Sequence, residues 1–242
     1  MKPAGSSTFA AGAAVIGEKK DTASFEGQLA TGLAVVAGMV DVIGFVSLKL
    51  FTAHITGNLV VIAALIVRGG PPNLAQVLAV PVFIAAVAVV WLIAKMSGRR
   101  GSALAKPLLA VQFLLLACVL IASILTDPTA NPRGVSASIT AMIAVSAIAC
   151  QFALLRLALP VAPSTAVMTG NLTNAVLSLL DALSPREPLL QGTQERLHKT
   201  IPLLVGFLAG CVAGAAGASW LGKWAWSFPA ALAGAILLLQ RE

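Results

Sequence analysis

The segment Ala53-His54-Ile55-Thr56-Gly57-Asn58-Leu59 returns later in the chain as Ala166-Val167-Met168-Thr169-Gly170-Asn171-Leu172, with five of seven positions identical. Each copy is a polar knot set in apolar sequence. Each follows a long apolar block and precedes another that carries an early proline, Pro81 in the first half and Pro202 in the second. The order apolar helix, knotted helix, proline-bearing helix, further helix therefore occurs twice. Duplication is the economical explanation, and repeated halves are a common plan among membrane transporters.

Composition says what surrounds the knots. Of 242 residues, 58% are hydrophobic and 10% are charged, where soluble domains carry about a quarter charged residues. Mean hydropathy is +0.94. The apolar residues form long blocks without helical or strand period, so each block faces an apolar medium or other apolar helices all round. A spanning helix needs about 20 such residues. The blocks run over 29–48, 51–67, 76–96, 107–125, 135–159, 164–183, 201–221 and 226–239.

The expected fold is an all-α, polytopic helical membrane protein of two repeated halves. It has about six full spans plus two polar-broken Thr-Gly-Asn helices. Residues 1–27 read as a mobile tail, 28–126 as the first membrane half, 127–134 as a linker and 135–242 as the second half. Trp220, Trp224 and Trp226 cluster where an interfacial aromatic belt would lie.

The net charge of +7 does not point to nucleic acid. Basic residues sit singly or in pairs at block edges, as in Arg99-Arg100, without interleaved aromatics, and read as topogenic charge. Cys118, Cys150 and Cys211 lie within apolar blocks and lack CxxC spacing, so they read as small hydrophobes. There is no metal-ligand cluster, activated nucleophile or phosphate loop. An enzyme is not expected, nor a cofactor or metal. The expected partners are the lipid bilayer and a small solute of unknown identity, with a homo-oligomer left open.

Two ways of threading the membrane compete. If every block spans and the amino terminus is cytoplasmic, Arg99, Arg100 and Lys106 fall outside, against the positive-inside tendency. If the two knotted segments turn back within the membrane, those residues face the cytoplasm together with Arg186, Arg196 and Lys199. The halves are then inverted relative to one another. The length of 164–183 speaks for spanning; the charges speak for re-entry.

Polar residues inside the membrane are the candidates for function. Asp41 is the one acidic residue well inside an apolar block. An intramembrane carboxylate costs about 2.5–3.5 kcal/mol on insertion scales, so it must be neutral, paired or facing water. It reads as a proton or cation site, or as a protonated Asp bonded to a neighbouring helix. Thr56, Asn58, Thr169, Asn171 and Asn174 either mark helix breaks that meet a solute or cap and pack helices. His54 reads as a helix-end histidine, or as a proton relay beside Asp41. Gly57 and Gly170 permit close packing, and Gly206, Gly210 and Gly214 form a GxxxGxxxG ridge that brings helix backbones together.

Gly38-Met39-Val40-Asp41 followed by Phe51-x-x-His54-x-Thr56-Gly57-Asn58 resembles the signature of the bacterial YoaK family. Gln151 with Arg156 ahead of Thr169-Gly170-Asn171 is similar to its second-half signature, with Phe152 departing from the family's usual Gln-Asn. The resemblance spans roughly residues 29–239 and implies a multi-pass bacterial inner-membrane protein, while supplying no substrate. The functional expectation is a small-solute transporter or channel with its site between the halves. The alternative is a non-transporting assembly or sensor protein acting through the polar loop 184–200.

Overall fold

In a computed structural model the protein is all-helical among the described residues, which are 6–160, 162–184 and 192–240, with side chains described from residue 25 onward. In chain order the helices are α1 (Ser6–Leu48), α2 (Ile55–Val67), α3 (Leu74–Ser97), α4 (Ala105–Thr126), α5 (Val135–Ala158), α6 (Met168–Leu183), α7 (Thr193–Leu221) and α8 (Ser227–Leu239). Short 3₁₀ turns precede α4, at Gly101–Leu104, and α8, at Gly222–Trp226.

Five segments are long and apolar enough to cross a bilayer: Phe25–Leu48, Leu74–Ser97, Gly101–Thr126, Val135–Ala158 and Thr193–Leu239. The last is 47 residues long and contains the turn between α7 and α8. The helix α2, at 13 residues, is too short to span at 1.5 Å per residue. This is a polytopic helical membrane fold.

Close glycine contacts fix the directions of the helices. A Cβ on Gly206 would meet Thr31, one on Gly210 would strike the Val35 carbonyl, and one on Gly214 would lie 2.8 Å from the Met39 carbonyl oxygen. Numbers rise together on the two sides, so α1 and α7 run parallel. Gly38 answers from α1, where a Cβ would strike the carbonyl of Phe207. The GxxxG ridge thus faces α1 and lets two backbones touch, as packing in lipid requires.

With α1 taken as running upward, α8 runs down, since Ile236 meets Gly32 near the lower end of α1. The helix α4 runs up: Phe113 meets Gly234, and Ser123 Oγ donates to the Lys223 carbonyl at 2.9 Å.

At the upper face, Asn73 begins α3 with a capping box. Its side chain accepts from Ala75 N, and its own N–H donates to the Gln76 side chain. The same two residues tie three chain segments together. Gln76 Nε2 donates to the Lys49 carbonyl at 2.8 Å, and Asn73 Nδ2 to that of Pro132 at 3.2 Å. Lys49 ends α1, and Pro132 precedes α5. The segment from 49 to 76, α2 included, therefore leaves the upper end of α1 and returns to the same level.

Two boundaries differ from the sequence reading. Residues 1–5 of the expected tail lie outside the described residues, whereas from Ser6 the chain is helical and continuous with α1. The polar loop expected over 184–200 is shorter, because α7 already begins at Thr193; residues 185–191 lie outside the described ones. Pro202 is consequently interior to its helix, as Pro81 is in α3. The tryptophan cluster also divides. Trp220 and Trp224 are exposed, while Trp226 is buried in the core, because the 3₁₀ turn it ends folds under α7.

Candidate functional site

The first break begins at Lys49, whose φ of +59° is the left-handed conformation that ends a helix and reverses the chain. The reversed strand lies directly on α1 at Gly44, where a Cβ would meet Thr52 Cγ2 at 2.8 Å. One turn deeper, Asp41 receives it. Asp41 Oδ1 accepts from Thr52 N at 2.8 Å, Ala53 N at 2.7 Å and Thr52 Oγ1 at 3.3 Å. Asp41 Oδ2 lies 2.6 Å from His54 Nδ1.

Asp41 is 6% exposed and Thr52 fully buried. A buried carboxylate is tolerated when donors satisfy its lone pairs, and charge-assisted bonds are the strong ones. This carboxylate also lies at the amino-terminal end of α2, where the helix dipole favours negative charge.

His54 is the N-cap residue of α2 and the partner of Asp41 at once. Its side chain is 45% exposed, against 7% for Asp41. Phe207 and Phe51 stand edge-on to the ring, at centroid distances of 5.6 and 6.4 Å. The imidazole is thus the exposed end of a two-residue path whose inner end is the carboxylate.

Asn58, fully buried, binds the backbone of the break in both directions. Its Oδ1 accepts from Phe51 N at 2.9 Å and its Nδ2 donates to Phe51 O at 2.8 Å. The amide is therefore spent on the loop rather than on a neighbouring helix or a solute. Thr56 is exposed on the first turn of α2. Gly57 packs its backbone against the Phe51 ring, where a Cβ would stand at 3.1 Å.

The second break repeats this plan with a different anchor. Asn171 Nδ2 donates to the Ser164 carbonyl at 2.8 Å, across the same seven-residue interval as Asn58 and Phe51. Thr165 is buried as Thr52 is. Its hydroxyl accepts from Gln151 Nε2 at 3.3 Å. Gln151 stands seven residues before the end of α5, as Asp41 does before the end of α1. A neutral amide thus occupies the depth at which the first half has a carboxylate.

Gln151 also donates to the Leu33 carbonyl of α1 at 2.9 Å and accepts from Gln112 Nε2 of α4 at 2.7 Å. Gln112 Oε1 has no partner among the described residues. Thr169 and Asn174 are exposed on α6, Asn171 is half-buried, and Gly170 abuts Val167 of its own break.

The candidate residues therefore fall into two groups. Asp41, His54 and Asn58, with Thr56 beside them, form the first. Asn171, with Thr169 and Asn174 on α6, belongs to the second. Both are hung on α1, at Asp41 and at Leu33, about 12 Å apart along the axis by the helical rise.

Three contributors had not been singled out in the sequence. Thr52 carried a signal, because extending the repeat by one residue pairs it with Thr165. Gln112 carried one too, since an amide inside an apolar block must find a polar partner. Gly44 carried none.

Helical spans and two anchored helix breaks define a polytopic helical membrane protein. The chain belongs to the family described as protein of unknown function (DUF1275), whose model matches residues 29–239. That agrees with the YoaK resemblance of its motifs. No curated protein and no solved structure matches the chain.

Proposed function

We propose that this protein moves a small polar solute across the bacterial inner membrane, with Asp41 and His54 as a proton-coupling pair and the two breaks as the elements that rearrange. One observation carries the reading: a sealed carboxylate contacts a half-exposed imidazole at a helix break. A carboxylate that served packing alone would have no use for an ionisable partner at its exposed side. A coupling site needs one, because the proton must pass between a dry interior and a wet approach.

In this reading Asn58 and Asn171 shape the breaks, and exposed Thr56, Thr169 and Asn174 offer the hydroxyls and amide that a solute would meet. Loss of the Asp41 charge would weaken the acceptor that holds Thr52 and Ala53, linking protonation to the hold on the break. The matching bonds of Asn58 and Asn171 support an inverted repeat of the two halves. The lower face carries Lys95, Arg99, Arg100, Lys106, Arg196 and Lys199, which supports a cytoplasmic amino terminus by the positive-inside tendency.

The test is uptake by proteoliposomes across a panel of polar metabolites under an imposed proton gradient. We expect flux for at least one solute, with Asp41→Asn and His54→Gln abolishing the response to the gradient. No flux for any solute, together with unchanged growth of cells carrying Asp41→Asn, would overturn the reading in favour of an assembly or sensor role.

A further inference from the structure

Away from the first break, the lower face holds two clefts that share Arg99. The larger, of about 830 Å³, runs between the start of α4 and the end of α8 and is lined by Arg99, Ser102 and Lys106 together with apolar residues such as Pro107 and Leu237. The smaller, of about 410 Å³, lies between α3 and the end of α5, with Lys95, Arg99 and Arg100 over Leu104 and Leu157. Four cations thus fall within twelve residues, and the chain has no Asp or Glu from residue 42 to residue 126.

Its depth is marked independently. Lys95 Nζ stands 4.9 Å from the centroid of the half-exposed Trp91 ring. Lysine and tryptophan meet in this way at the boundary between hydrocarbon and headgroups. Arg99 and Arg100 follow the end of α3 and Lys106 stands in the first turn of α4, beside the apolar walls. Each cleft is therefore cationic at headgroup level and greasy at acyl level.

We infer that these clefts bind an anionic phospholipid, its phosphate held by Arg99 with Lys106 or Arg100 and its chains laid against α4 and α8 or α5. Arginine suits the role because its planar fork meets two phosphate oxygens at once. Basic pockets between membrane helices take anionic headgroups on the same grounds. The inference is independent of the transport reading.

Delipidated full-length protein in neutral detergent, titrated with lipid and followed by native mass spectrometry, tests it. Phosphatidylglycerol should be retained over phosphatidylcholine of the same chains. Arg99→Gln should lower that preference about fivefold, as expected for one interfacial cation. Arg133→Gln, at the opposite face, should leave it unchanged. Arg100→Gln gives a second, milder variant, and raising the salt should weaken retention without any substitution. Equal retention of the two lipids would overturn the inference, as would an unaffected preference in folded Arg99→Gln. Displacement of phosphatidylglycerol by millimolar inorganic phosphate would also overturn it, by making the site one for free phosphate.

Discussion

Asp41 does structural work that no other side chain of the first half shares: a single carboxylate accepts from three backbone N–H groups and a hydroxyl and contacts an imidazole. Its removal strands those donors in a dry environment, at about 1–3 kcal/mol each. Asp41→Ala should therefore cost about 3 kcal/mol or more, and His54→Ala less, since it unpairs Oδ2 alone and leaves the donors on Oδ1 in place. Unfolding in mixed micelles would rank the two. The asparagines give a second comparison. Asn58→Ala removes two bonds and Asn171→Ala one, so the first should destabilise by about 1 kcal/mol more. Equal effects would mean that the loop at Phe51 is held by something other than the amide. The proximity of His54 to Asp41 was only partly legible in the sequence. Thirteen residues separate them, and the contact depends on Lys49 adopting a left-handed turn, for which a lysine gives no warning.

At the scale of the element, the parallel pair α1 and α7 shows which glycines matter. Gly210 touches the Val35 carbonyl, so even a methyl group forces the backbones apart. Gly210→Ala should lower stability by about 2 kcal/mol, in the range of overpacking in a close-packed interior. Gly27 lies in the same helix as Val35, and nothing stands within 4 Å of the place its Cβ would take. There, Gly27→Ala should be neutral or stabilise by up to about 1 kcal/mol, as for glycine inside a helix. Thermal melting of the two variants in one detergent would check the contrast. The ridge itself could be read directly from GxxxGxxxG spacing. Its partner could not, because Gly38 has alanines rather than glycines, Ala34 and Ala30, at four-residue spacing before it. The boundaries of α7 were missed for a related reason: Thr193 to Lys199 are polar enough to read as loop, yet the sequence Glu195 to Lys199 forms an i,i+4 pair that a helix accommodates.

For the whole molecule, the apolar blocks announced the membrane class, and the Thr-Gly-Asn repeat located both breaks. Depth and direction stayed open, since an apolar segment of 13–17 residues reads alike whether it crosses or turns back. The structure resolves this for α2 through two amide side chains, Asn73 and Gln76, which bring the ends of α1, α3 and α5 to one level. The central claim is that the chain leaves and returns on one face at the first break. Side-specific labelling of single cysteines tests it, with Cys118, Cys150 and Cys211 replaced by serine and the protein held in sealed, oriented vesicles. Gly69→Cys and Asn131→Cys should react with an impermeant maleimide from the same side, and Gly101→Cys from the other. Labelling of Gly69→Cys on the side opposite Asn131→Cys would make α2 a crossing helix and contradict the account.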